Sequence, residues 1–248
     1  MKDRIHETAI VNDSANAEVA FSDRENFAIL GLPPEYGDPD AIQRDAVTWI
    51  QNDEWLNAKD GNDLYTEDQP LAGLDVDASD AVSIPACEPL VRYYATLARS
   101  WGFSDAARLT ANIQMDKTQN PNSTEHKDGI GSNSIMAVKE GKNVRAVRFV
   151  YPIGRPGTVL YPDMQHDGSP VDWKFDAIPN PTEEDEAVLA RYISAEGEER
   201  QRLLDEGGAV QVLPGATLVF DMTKSPWHVA ADRTPGAGVM TVNVFESW

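Results

Sequence analysis

An antiparallel β-sandwich or barrel, braced by helices ahead of it, is the architecture this sequence predicts. Three observations predict it. Between Arg108 and Phe245, short runs alternate apolar and polar residues with period two, the mark of strands with one buried face. Gly- and Pro-containing turns punctuate those runs, and many short strands joined this way close into a sandwich or barrel. Before Arg108 the apolar residues recur at helical spacing instead.

Taken in order, residues 1–20 read as a loose polar lead-in with no apolar segment of the kind that directs secretion. Phe27-Ala28-Ile29-Leu30 is a short apolar piece that ends at the turn signal Gly31-Leu32-Pro33-Pro34. Asp38-Pro39-Asp40 opens a helix, with an aspartate cap and proline at the first helical position. Ile42, Ala46, Trp49, Ile50 and Leu56 give that helix its core-facing stripe. Residues 57–80, rich in Asp, Asn and Gly, read as loop. A second helix spans about Glu88 to Trp101, with Leu90, Val91, Tyr94, Leu97, Ala98 and Trp101 on its apolar face and Gly102 as its stop.

The period then changes. Leu109, Ala111, Ile113 and Met115 alternate with Thr110, Asn112 and Gln114. Further strands are expected at Ser134–Lys139, Val144–Tyr151, Thr158–Pro162, Ala209–Leu213, Ala216–Asp221 and Val239–Phe245. Residues 163–208 break this pattern. They are charged and helical, from an N-cap at Thr182 to about Leu204, and read as an insertion on the outside of the barrel or over its mouth. The expected organisation is a helical support over residues 1–105 and a β core over 106–248, with the insertion at about 163–208.

Composition narrows the function. The 248 residues carry 41 Asp and Glu against 21 Lys and Arg, a net charge of −20. Such a surface repels phosphate backbones, so no nucleic-acid partner is expected. The single cysteine, Cys87, excludes an internal disulfide and a thiolate metal cage. No run approaches the ~18 apolar residues of a membrane span, so no membrane partner and a cytoplasmic location are expected. The sequence leaves the oligomeric state open.

The chemistry is carried by Glu125-His126-Lys127-Asp128-Gly129 and a remote histidine, His228, two of the chain's four histidines. A histidine and a carboxylate at i and i+2, completed by a distant histidine, form a ligand set that leaves one face of an Fe(II) open. A lone H-x-D is a weak signal. Its context strengthens it, because both parts follow strands, and strand ends hold ligands rigidly.

From about Leu109 to Phe245 the chain resembles the Fe(II)/2-oxoglutarate-dependent oxygenases, especially their prolyl-hydroxylase-like branch. The matching blocks come in the family's order. Ala111-Asn112-Ile113-Gln114-Met115 leads to His126-Lys127-Asp128. Arg148-Phe149-Val150-Tyr151-Pro152 is followed by Pro156-Gly157-Thr158 and Tyr161-Pro162. Leu213-Pro214-Gly215-Ala216-Thr217-Leu218-Val219-Phe220 precedes His228. Residues 1–105 lie outside the resemblance.

The resemblance implies a mainly β fold, the double-stranded β-helix or jelly-roll barrel, with N-terminal helices and a helical insertion. It implies that His126, Asp128 and His228 ligate Fe(II), that 2-oxoglutarate is cosubstrate with O2, and that a C–H bond of a small molecule or peptidyl side chain is hydroxylated. One block departs from the family. The last strand usually carries an Arg or Lys for the far carboxylate of 2-oxoglutarate, and here Gly236-Ala237-Gly238-Val239-Met240 has no cation. Arg148 is the favoured substitute, since arginine suits bidentate carboxylate recognition. Arg145 and Arg233 are its rivals, and each of the three has an ordinary surface or ion-pair reading.

Tyr151, Tyr161 and Trp227 are expected near the substrate pocket, with a packing role as the alternative for Trp227. Asn112, Gln114, Thr241 and Asn243 either line the barrel interior, where they would hydrogen-bond cosubstrate and where Asn112 and Gln114 are assigned to the substrate pocket, or form an outward polar face. Gln165, His166 and Asp167 either face substrate or lie in a solvated loop. The missing cation keeps a second function class open: a metal- and ligand-binding barrel, a sensor or binding module, without oxygenase activity.

Overall fold

Among the described residues, strand alternation resolves into two antiparallel sheets, with helices packed on the outer face of the larger one. The computed structural model describes residues 27–31, 38–52, 62–65, 69–71, 85–116, 142–160, 202, 210–222, 226, 228–231 and 233–248. In chain order the elements are β1 (Phe27–Gly31), α1 (Pro39–Asn52), β2 (Asn62–Tyr65), β3 (Gln69–Pro70), a 3-10 turn at Pro85–Cys87 and α2 (Glu88–Ser100). The barrel strands follow: β4 (Arg108–Met115), β5 (Val144–Ile153), β6 (Val159–Leu160), β7 (Val210–Gln211), β8 (Ala216–Asp221), β9 (His228–Val229) and β10 (Gly238–Ser247).

The larger sheet runs β1-β8-β5-β10-β4-β2, with β3 also on β4, and the smaller runs β7-β6-β9. From β5 onward the chain passes back and forth between them. β5 lies in the large sheet, β6 and β7 in the small one, then β8 in the large, β9 in the small and β10 in the large. The pairings in both sheets are antiparallel. A ribbon wound this way around two facing sheets is the double-stranded β-helix, or jelly roll.

Two expectations from the first hundred residues change. Residues 62–65 and 69–70 are strands rather than loop, because β4 would otherwise present an open edge and short segments can pair with it. The apolar piece Phe27–Gly31 is also a strand, paired in register with β8 from Phe27↔Phe220 to Gly31↔Ala216. The N-terminal region therefore contributes strands to the barrel sheet as well as helices.

The two helices follow their sequence signals. Asp38 Oδ1 accepts from the Asp40 N–H at 3.0 Å, the expected cap of α1. Gly102, at φ +85°, ends the turn after α2 in the left-handed region that glycine enters without strain. The apolar face of α2 lies on the large sheet. Tyr94 stacks on Phe149 at 4.5 Å between ring centroids, and Trp101 meets the same ring at 5.6 Å. The Tyr94 hydroxyl shares a buried hydrogen bond of 2.6 Å with Thr217 Oγ1.

Period two divides β5 between two cores. Val147, Phe149, Tyr151 and Ile153 join Leu90, Tyr94, Trp101, Leu109, Ile113 and Val242 under the helices. Ala146 and Val150 face the other way, with Ile29, Leu160, Val212, Leu218 and Phe220 between the two sheets. This second, inner face is where the site lies.

One buried ion pair fixes an end of the barrel. Asp116 follows β4, and its carboxylate accepts from Arg155 Nε at 2.8 Å and from the Thr234 N–H at 3.0 Å. Its backbone N–H donates to the Ala237 carbonyl, and its carbonyl accepts from the Gly236 N–H. One residue thus joins the end of β4, the turn after β5 and the turn into β10.

Candidate metal and cosubstrate site

His228 opens β9 and is buried. Its antiparallel partner is Leu160, which belongs to the inner core, and partners directly opposite share a face. The ring accordingly lies 5.8 Å, centroid to centroid, from that of Phe220. His228 Nδ1 is 2.9 Å from the Pro226 carbonyl oxygen. A carbonyl can only accept, so Nδ1 carries the proton. In the neutral ring the lone pair is then on Nε2, the tautomer a metal ligand requires.

His126 and Asp128 lie outside the described residues, as do Tyr161, Trp227 and Gln165-His166-Asp167. So does the expected strand Ser134–Lys139, together with all of 163–208 except Arg202. No cluster of three metal-binding side chains occurs among the described residues.

The three candidate arginines part company in the structure. Arg148 is on the inner face, as its alternation with Phe149 predicts. It pairs in register with Phe220 on one side and with Asn243 on the other. Its Nε donates to Asn243 Oδ1 at 2.7 Å. Arg145 is on the helix-side face, where it donates to the Trp101 carbonyl and its guanidinium lies 4.4 Å from the Phe103 ring centroid. That contact ties β5 to the end of α2 and turns Arg145 away from the inner face. Arg233 is exposed in the turn before β10.

The remaining candidates divide by the same alternation. Asn112 and Gln114 lie on the inner face of β4, opposite the side that carries Ala111 and Ile113. Thr241 pairs with Asn112, and Asn243 with Thr110, so both alternating polar sets of β4 and β10 face inward. Asn112 Oδ1 is buried with no hydrogen-bond partner among the described residues.

Tyr151 requires a correction. It is odd-numbered on β5 like Phe149, so it belongs to the helix-side core rather than the inner face. Its hydroxyl is buried without a partner among the described residues, and burial first, then nearby Cys87, pushes its pKa up to about 12.

Across the large sheet, one inner row reads Phe220, Arg148, Asn243, Thr110, and the next reads Leu218, Val150, Thr241, Asn112. The inner face is thus apolar over β8 and hydrogen-bonding over β10 and β4, with the cation between them. The Asn243 partner of Arg148 and the Pro226 carbonyl at His228 are the two features sequence reasoning did not assign. Alternation put Asn243 on a polar face. The Pro226 contact depends on the path of a turn and left no sequence signal.

A Cβ at position 238 would collide with the Gln114 carbonyl oxygen and Met115 Sδ, so only glycine fits there, in register with Met115 and Ile153 of the helix-side core.

No family model matches the chain, and no curated protein does. Among solved structures it is similar to AviO1 from Streptomyces viridochromogenes, at 15% identity over 95% of each chain with a TM-score of 0.45. A prolyl-4-hydroxylase from Pseudomonas putida is similar at 9% identity over 94% of this chain and 98% of that one, with a TM-score of 0.47. EvdO2 from Micromonospora carbonacea var. aurantiaca, complexed with 2-oxoglutarate, is similar at 10% identity over 97% of this chain and 94% of that one, with a TM-score of 0.45. The double-stranded β-helix itself is established by this chain's own strand order and pairing.

Proposed function

We propose that the protein is a mononuclear Fe(II) oxygenase that couples decarboxylation of 2-oxoglutarate to hydroxylation of an unactivated C–H bond. Its substrate class is a small molecule or a peptidyl side chain. The observation that carries this reading is the arrangement around Phe220. That ring touches His228 on one side, and its register partner on the neighbouring strand is Arg148. A metal-binding nitrogen on the small sheet and a carboxylate-binding cation on the large one, both beside Phe220 between the two sheets, match the two ends of a 2-oxo diacid.

In this reading His126, Asp128 and His228 hold the iron. Two histidines and a carboxylate suit Fe(II), and the bound metal would supply the oxidising chemistry toward a 2-oxo acid and O2. The chain's own groups do the rest. The Pro226 carbonyl holds His228 in its ligating tautomer. Phe220 and Leu218 keep water from the apolar side of the site. Arg148 orients the cosubstrate through its far carboxylate. Residues 163–208 are where the reading assigns substrate choice, because loops on a rigid scaffold carry specificity.

Purification without oxygen and metal analysis test the ligand set. Wild-type protein is expected to bind one Fe(II), and His228→Ala to lose it with an unchanged circular dichroism spectrum. Adding 2-oxoglutarate to the Fe(II) protein should produce a visible charge-transfer band, and admitting O2 should yield succinate in step with O2 uptake. Metal binding with neither band nor succinate would replace this reading with the binding-module alternative.

A further inference from the structure

We infer that the part of the substrate lying against β4 and β10 is an uncharged, hydroxyl-rich ring such as a glycosyl group, held by Thr110, Asn112, Gln114 and Thr241. The inference rests on the function proposed above and narrows the substrate class of that same site.

The inner face of the large sheet is unevenly open. Leu218, Phe220 and Val150 on its apolar side are buried, whereas Thr110, Asn112 and Gln114 on β4 and Thr241 on β10 are only half-buried. What a ligand can reach there is a hydrogen-bonding surface. Register makes that surface compact. Thr241 stands opposite Asn112, about 5 Å away across the strands, and Thr110 and Gln114 flank Asn112 at about 7 Å along β4. The whole wall is about 14 Å long, room for a sugar ring or two.

The chemistry of the wall selects hydroxyls. Its four side chains carry no charge, so an ionised group laid on them would lose water without gaining a counter-charge. Each can both donate and accept, the amides through NH2 and carbonyl oxygen and the threonines through one hydroxyl. An amide can also turn over and exchange its two ends. A ligand hydroxyl fits either arrangement because it too donates and accepts, whereas a peptide N–H or carbonyl fits one. Asn112 supplies an unfilled place, since its Oδ1 is buried with no hydrogen-bond partner among the described residues. A buried acceptor in that state favours any ligand that brings it a donor.

Ligand-observed NMR titration of the metal-loaded protein, kept free of oxygen and saturated with 2-oxoglutarate, tests this. The probes are the methyl glycosides of glucose, galactose, mannose and rhamnose. Two comparison probes are 2-methoxytetrahydropyran, a similar ring without hydroxyls, and N-acetylprolinamide, a neutral peptide unit. At least one glycoside is expected to bind, and neither comparison probe. Asn112→Leu should weaken the glycoside by about three- to tenfold, as loss of a neutral hydrogen bond does. Thr241→Val, which keeps the side-chain shape, should weaken it similarly and serves alone if Asn112→Leu does not fold. Both variants should hold 2-oxoglutarate within about twofold of wild type.

No binding by any of the four glycosides would overturn the inference, and so would equal binding of the ring without hydroxyls. Binding of the peptide unit alone would assign the wall to a peptidyl substrate and overturn it as well. Equal loss of 2-oxoglutarate and glycoside in the variants would make the wall a cosubstrate site, again against the inference. Wild-type protein that binds metal but not 2-oxoglutarate would refute the oxygenase reading instead, and the glycoside titration of that protein still decides what the wall binds.

Discussion

Asp116 offers the sharpest measure of whether the barrel is assembled as described. Its side chain is 3% exposed and that of Arg155 10%, and they meet at 2.8 Å. Asp116→Ala would leave a buried guanidinium without its counter-charge, which costs about 3–5 kcal/mol in comparable sites. The Thr234 N–H would lose its acceptor as well, adding about 1 kcal/mol. Against a typical domain stability of about 5–15 kcal/mol, this is a third or more of the total. Urea denaturation followed by circular dichroism measures the loss as a shift in midpoint at constant slope. The double variant Asp116→Ala/Arg155→Met removes both charges, so it should lose less than the sum of the single changes, with a coupling of about 1–3 kcal/mol. A single-variant loss below about 1 kcal/mol, or strict additivity, would show that the pair does not join the three turns.

Two further outcomes are expected. Phe149 is fully buried between Tyr94 and Trp101, so Phe149→Ala should cost about 3–5 kcal/mol by thermal or urea unfolding, while Phe149→Leu should cost distinctly less. Stability should also fall in alkali. Burial raises Cys87 from 9.0 to about 12 and Tyr151 from 10.0 to about 12, and it holds Tyr94 well above 10.0. The folded state therefore keeps protons that the unfolded chain releases, so stability is full below pH 9 and lost from there towards pH 12. Chemical denaturation at stepped pH checks this, and a Cys87→Ala variant should flatten the first part of the decline.

What the sequence made legible follows from period and punctuation. The alternation of β4, β5 and β10 was readable because each strand buries one side chain in two, so the inner and helix-side faces could be assigned residue by residue. Arg148 came from the same rule, since its neighbours Phe149 and Val147 belong to the helix-side core. The strands at 62–65 and 69–70 were not readable, because an edge strand completed by a neighbour's hydrogen bonds needs little apolar pattern of its own. Tyr151 was misread because a tyrosine near a strand end invites a pocket role, whereas its odd position puts it with Phe149. The Arg148–Asn243 bond was only half legible. Each residue's face was predictable, but their register depends on β5 and β10 pairing across 95 residues of chain.

The position of the cation can be tested as an idea in its own right. β10 passes too close to β4 at Gly238 to carry a side chain there, while its next residue, Val239, packs against the inner core and pairs with Pro152 and Gln114. Gly238 is in register with Met115 and Ile153 on the helix-side face, so a cation could return to the last strand only at the inward positions 239, 241, 243 or 245. If charge on the inner face is what holds the diacid, its exact strand is secondary. Arg148→Met should then abolish the preference for 2-oxoglutarate over 2-oxobutyrate, and Val239→Arg added to it should restore part of that preference. Partial recovery is expected because Val239 lies two rows from Asn243, so the carboxylate would be met from a different direction, and a misplaced charge pair recovers only a fraction of its coupling. Calorimetry with both acids reads the result. A doubly substituted protein that folds yet shows no preference would mean that Arg148 acts through its bond to Asn243 rather than through its charge.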